Sequence, residues 1–272
     1  MRSIFSYWQF DIPTITFIVG LFIFYIYAIN FKIKKHLFYF FSGIFLWILC
    51  ISSPLHFLGE NYLFSAHMLS HVLIILISAP LMVAAIPAEN KFKKTLLAFS
   101  KIRKPFICWF VGVGIMWLWH FPYIFNHLFA MPAMSNSNST SPLMFLEVVS
   151  LLIAGMIFSW PVINPYKEYR IPGIAAVLYL STACVFCSIL GLLITFAPLG
   201  TYFHYQHLME GYGYLPMIRN DWKISAAVDQ QIAGLIMWVP CCLIYLTASM
   251  ILLIKWFDEK QSEKNIMGTI IQ

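Results

Sequence analysis

Seven blocks of apolar residues divide this chain, at Ile12–Phe31, Leu37–Ser53, Leu63–Ile86, Pro105–Phe125, Leu143–Ile163, Pro172–Ala197 and Gln231–Trp256. A helix needs roughly 20 predominantly apolar residues, each rising about 1.5 Å, to cross a hydrocarbon core of ~30 Å. All seven blocks meet that length. Prolines stand near many of their ends (Pro13, Pro54, Pro87, Pro105, Pro142, Pro172, Pro198), as expected for helix starts and stops. Pro80 and Pro240 fall inside blocks and predict kinks. The pattern predicts an all-α membrane protein, a bundle of seven transmembrane helices forming one domain over residues 1–272.

Composition agrees with this picture. Of 272 residues, 61% are hydrophobic and 10% charged, with 25 Phe, and the mean hydropathy is +0.79. A soluble domain normally carries about 25% charged residues. A water-soluble fold has no place for so much apolar surface, so lipid is the expected solvent. The opening MRSIFSYWQFDIP carries little charge and precedes a long apolar run without a small-residue cleavage site, so the first span is expected to be retained. The tract 136–142, NSNSTSP, predicts a flexible loop.

The net charge of +6 does not indicate a nucleic-acid partner, because the basic residues lie in short segments between spans and set topology instead. Alternate segments carry fourteen Lys and Arg on one side of the membrane and three on the other. The excess of Lys and Arg on cytoplasmic segments then puts the N-terminus outside and the C-terminus in the cytoplasm. That requires an odd number of spans.

The histidines distribute the other way. On this topology seven of eight lie at the outer face: His56, His67, His71, His120, His127, His204 and His207, with His36 alone on the cytoplasmic side. His67 and His71 are four residues apart, which puts both imidazoles on one helical face and lets one helix offer two ligands to a single metal. Polar residues within a span are costly and usually functional. His120, in WLWHFP, closes the fourth span. Imidazole suits copper, zinc and haem iron, and sulfur from Met68, Met116, Met131, Met134 or Met144 would favour Cu(I). A lone interfacial histidine is more often a packing or headgroup-level residue, which is the expectation for His36, His56 and His127. His204 and His207, beside Tyr202 and Tyr205, fit either a site or an interfacial belt.

Two acids share this face. Glu147 lies about one turn inside the fifth span, where a carboxylate needs a partner or a proton. Asp229 opens the seventh span and is expected either to cap that helix or to support a ligating histidine or metal. Cys184 and Cys187, in CVFC inside the sixth span, lie on one helical side and could hold Cu(I). Packing is the favoured reading for them, and more so for the adjacent Cys241 and Cys242. All six cysteines lie in or at the ends of apolar runs, so no secreted disulfide framework is expected. Phosphate-binding loops, dinucleotide fingerprints and nucleophile elbows are missing from the sequence.

The runs SAHMLSHVLIILISAPLMV (65–83), WLWHFPYIFN (117–126), FSWPV (158–162) and DQQIAGLIMWVP (229–240) resemble the CtaG family of cytochrome c oxidase assembly factors, in order from about Pro54 to Trp256. The resemblance implies a multi-pass protein of the bacterial cytoplasmic membrane, required to mature haem-copper oxidase. It would be a metallochaperone or scaffold that delivers copper on the outer side, and not an enzyme. Its implied partners are oxidase subunits or another copper chaperone. By motif, the positions carried over are His67, His71, His120, Asp229 and Gln230. One departure stands out: the family commonly has a histidine directly after the acid of the fifth span and often another three residues before it. Here Val148 follows Glu147 and Met144 precedes it, which points to Met144 as a softer ligand, to compensation by His204 and His207, or to a divergent role.

Two other readings remain open from the residues. Histidines on different helices can clamp haem in a membrane redox protein. Glu147, Asp229 and proline-kinked spans would also suit a proton-coupled transporter, although no charged residue lies near a span midplane.

Overall fold

The computed structural model describes residues 4–29, 34–102, 104–130, 142–206 and 213–271. Among these residues the chain is helical throughout, without strands. Its helices are α1 (Ile12–Ile29), α2 (Lys34–Ser52), α3 (Pro54–Asn61), α4 (Phe64–Leu73), α5 (Ala79–Ala84), α6 (Lys93–Ile102), α7 (Pro105–His120), α8 (Pro122–Ala130), α9 (Pro142–Ile163), α10 (Gly173–Phe196) and α11 (Ala226–Ile271). Helix is the only open arrangement that satisfies every backbone N–H and C=O inside lipid.

Five stretches are long and apolar enough to cross a membrane: Lys35–Ser52, Phe64–Ala84, Pro142–Ile163, Gly173–Phe196 and Ala226–Ser262. Counting the bent pair Lys93–Lys101 and Pro105–His120 as one span makes six, and Ile12–Ala28 is a shorter apolar helix. Every predicted apolar block therefore coincides with an apolar helix, and the protein is a membrane protein. Exposed Phe22, Phe41, Phe45, Phe110, Leu178, Leu193 and Leu243 form the lipid-facing surface.

Two boundaries and two predicted kinks are resolved by the structure. The block Pro105–Phe125 breaks after His120, because Pro122 disfavours helical backbone at Phe121, which is extended (φ −65°, ψ 122°). Pro122 then opens α8. The kink expected at Pro80 takes the form of a π-helical turn, Ile74–Ser78, immediately before α5. Pro240, by contrast, sits within a helix that continues from Ala226 to Ile271. The segment expected to be a loop around His56 is α3, started by Pro54 and capped by Ser53, whose Oγ accepts from Leu55 N at 3.1 Å.

The span from α4 through α5 is the centre of the bundle. Its residues are 72% buried, against 22% for Ala226–Ser262. It packs on α2, α3, α9 and α11, while α10 and α11 form the most extensive helix pair. That last pair closes through glycine: a Cβ on Gly191 would lie 2.7 Å from Gly234 O. Small residues let helix backbones approach where dispersion and short contacts must replace the hydrophobic effect. Gly191→Val is therefore expected to destabilise the protein by about 1–3 kcal/mol. Gly20→Ala, at a position with nothing within 4 Å, should leave stability the same or slightly higher. Thermal unfolding in detergent checks this, and equal midpoints for Gly191→Val and the parent would refute the close-packing account.

Candidate metal centre

The site begins with the way α4 is started. Its N-cap position is Leu63, which has no side-chain acceptor to offer. The free N–H groups are taken from across the bundle by the Asp229 carboxylate, which accepts from Phe64 N at 2.7 Å, Ser65 N at 3.1 Å and Ser65 Oγ at 2.5 Å. A carboxylate here also complements the positive end of the helix dipole. Asp229 is free to do this because α11 starts before it, at Ala226, with Ser225 Oγ accepting from Val228 N at 3.2 Å as its cap. The next residue ties a third helix: Gln230 Nε2 donates to Ile194 O at 3.2 Å and Ala197 O at 2.7 Å in the last turn of α10. Asp229 thus caps α4 and not its own helix, and its hydrogen bonds hold the backbone that carries the histidines.

With α4 fixed in this way, His67 and His71 lie along one face, their rings edge-on with centroids 4.2 Å apart. Both face Glu147 of α9. Its Oε1 lies 3.5 Å from His67 Nε2 and 3.3 Å from His71 Nε2. From α7, His120 Nε2 approaches His71 Nδ1 at 3.4 Å and Met68 Sδ at 3.1 Å. The break after His120 lets α8 bring Phe125 and Phe129 edge-on against His67, at centroid distances of 5.6 and 5.3 Å. Tyr202 OH donates to His120 O at 3.2 Å. Glu147 has no exposed surface, and His71, His120 and Met68 are all buried.

The tautomers follow from the acceptors. His120 Nδ1 faces Met116 O at 2.6 Å, and a carbonyl only accepts, so Nδ1 carries the hydrogen. In the neutral ring Nε2 then holds the lone pair and accepts from His71 Nδ1–H. That leaves the lone pair of His71 on Nε2, aimed at a carboxylate oxygen. A lone pair opposite a carboxylate repels it unless a proton or a cation stands between them. In keeping with this, the Nε2 atoms of His67 and His71 and both Glu147 oxygens are buried without a hydrogen bond. Unpaired buried charge is strongly unfavourable, and more so in a spanning helix.

Among the described residues, His67, His71 and Glu147 are the one set of three His, Cys, Asp or Glu ligand atoms lying within 4.8 Å of one another. Two imidazole nitrogens and a carboxylate oxygen suit copper, zinc or iron, and the thioether of Met68 adds a soft donor. Glu147, a possible ligand or supporting residue from the sequence, lies within 3.5 Å of both imidazoles.

The remaining candidates lie around this centre. Met144 is buried one turn before Glu147 on α9. His204 Nε2 hydrogen-bonds Glu60 O at 2.9 Å, and its ring stacks on Phe129 at 4.3 Å; burial lowers its pKa. His56 pairs with Glu60 Oε1 at 3.0 Å. Burial opposes its charge, but the Glu60 carboxylate raises its pKa overall. His36 bonds Ala84 O at 3.0 Å, and His127 lies against Tyr123, so neither joins the centre. His207, Met131, Met134 and the tract 136–141 lie outside the described residues. Sequence reasoning missed the aromatic wall of Phe125 and Phe129 and the Ser65 and Ser225 hydroxyls. Ser225, preceding a helical block, was the one detectable signal among them.

Asp229→Ala leaves the first turn of α4 without acceptors. The expected loss is about 1–3 kcal/mol of stability, together with lowered metal retention. Thermal unfolding and metal content of the purified variant check both, and an unchanged melting temperature would exclude the capping role.

The sequence model described as cytochrome c oxidase caa3 assembly factor (Caa3_CtaG) matches residues 30–259. Comparisons with curated proteins and with solved structures gave no significant match. The matched region contains His67, His71, His120, Glu147, Asp229 and Gln230, and on that match the chain belongs to the cytochrome c oxidase caa3 assembly factor family.

Proposed function

We propose that this protein serves oxidase assembly by holding copper between His67, His71 and Glu147 and releasing it to an oxidase subunit. The observation that carries the reading is the convergence of two unpaired imidazole Nε2 atoms and an unpaired carboxylate in one buried pocket. Membership in a family of oxidase assembly factors supplies the process. The opposition of lysines and histidines along the chain supplies the side of the membrane. In this reading the chain crosses a bacterial cytoplasmic membrane seven times, with its N-terminus outside and the pocket near the outer surface. It is a metal-handling protein and not an enzyme. Its partners are oxidase subunits, or a second copper chaperone that loads it.

The residues divide the work of capture and release. Neutral His67 and His71 offer lone pairs, and the Glu147 carboxylate balances the charge of the incoming cation inside an apolar bundle. His120 Nε2, 3.1 Å from Met68 Sδ, stands on the Nδ1 side of His71 and fixes the tautomer that presents Nε2 to the cation. Phe125 and Phe129 keep water from His67.

Purified parent protein is expected to hold more copper than His67→Ala/His71→Ala, by about one ion per chain. Elemental analysis decides, and equal copper in the two would eliminate the pocket as the binding site. In cells, Glu147→Ala as sole copy is expected to yield terminal oxidase with normal haem absorbance but reduced copper and activity. Oxidase with full copper from those cells would rule out delivery through Glu147.

A further inference from the structure

We infer that Cys187, Cys241 and Met116 form a second site, specific for Cu(I), one helical turn from the histidine pocket. The construction starts at the Gly191–Gly234 contact, where α10 and α11 touch backbone to backbone. Along α10, Cys187 and Cys184 lie four and seven residues before Gly191, on the same face. Along α11, Cys241 lies seven residues after Gly234, again on the contact face. Both thiol-bearing stripes are thereby pressed together in the bundle interior.

The thiols meet in pairs. Cys184 Sγ is 3.1 Å from Cys242 Sγ, and Ser188 Oγ is also 3.1 Å from Cys242 Sγ. One turn away Cys187 and Cys241 lie on the facing sides of α10 and α11, and Cys187 Sγ reaches Met116 Sδ of α7 at 4.0 Å. Cys187 and Met116 are each 1% exposed and Cys241 is 0% exposed. Packing alone does not require sulfur atoms from α7, α10 and α11 to be gathered in one part of the core.

The donor set selects the metal. No third thiol comes close enough to make a three-cysteine cluster among the described residues. A four-coordinate zinc site is therefore ruled out, and a low-coordinate soft ion remains. The thioether argues for metal over thiol–disulfide exchange, in which methionine has no part. Binding breaks one S–H bond and forms a Cu–S bond. The released proton leaves, and copper stays Cu(I) throughout. One thiolate then neutralises the ion while the second thiol and the thioether donate as neutral ligands, so the filled site bears no net charge within the membrane.

Met116 also connects the two sites, since its carbonyl accepts from His120 Nδ1 and its sulfur touches Cys187. The sulfur site itself stands whether or not the histidine pocket holds copper.

The test is anaerobic titration of the full-length protein, reduced and in detergent, with Cu(I) against bicinchoninate, followed by X-ray absorption at the copper edge. Sulfur neighbours are expected in the parent and in His67→Ala/His71→Ala, and their loss in Cys187→Ser/Cys241→Ser. Cys184→Ser/Cys242→Ser should keep them. Met116→Leu, close to isosteric and so expected to fold, should weaken Cu(I) binding about tenfold. Parent copper with only nitrogen and oxygen neighbours overturns the sulfur site and leaves the histidine pocket standing. Sulfur neighbours retained in Cys187→Ser/Cys241→Ser, or lost in Cys184→Ser/Cys242→Ser alone, overturn it as well. Unaltered affinity in Met116→Leu removes the thioether from the site.

Discussion

In hydrocarbon an amide, carbonyl or carboxylate without a partner costs several kcal/mol, and water is not there to help. The ends of helices and the few buried polar side chains therefore decide how this bundle is assembled. Asp229 and Gln230 are adjacent on α11 and turn to different neighbours, one to the N–H groups of α4 and the other to the carbonyls of α10. Two consecutive residues thus set the positions of three helices. Glu147 departs from this rule, a fully buried carboxylate neither of whose oxygens has a hydrogen bond.

Around that carboxylate, the Nε2 atoms of His67 and His71 and both Glu147 oxygens are buried without hydrogen bonds at one point, a local demand for positive charge. The hydrogen-bond chain from Met116 O through His120 to His71 directs that demand by turning a lone pair toward Glu147. The broken span after His120 then adds the aromatic wall on the far side of His67. Met68 lies beside His120, its sulfur 3.1 Å from Nε2.

Close helix approach does comparable work deeper in the bundle. Without side chains at Gly191 and Gly234, α10 and α11 come together tightly enough to face cysteines from both helices. Met116 lies between this sulfur-rich region and the histidine centre, one turn below His120 on α7. The polar and sulfur-bearing interiors are therefore parts of one continuous core, within reach of each other through a single residue.

The amino-acid sequence by itself determined the solvent of this protein, the location of its apolar helices, and the shared face of His67 and His71, because hydropathy and helical period are local properties. Motif likeness in 65–83 and 229–240 reached the family for the same reason. Only the tertiary structure decided that Glu147 is central, that Asp229 caps α4 instead of α11, and that His204 sits behind Phe129. It also brought Cys187, read from the sequence as a packing residue, within 4.0 Å of the Met116 sulfur. These outcomes depend on which helix faces which, at what height and rotation. That information lies in long-range packing and in the matching of buried polar groups, and no window along the chain contains it.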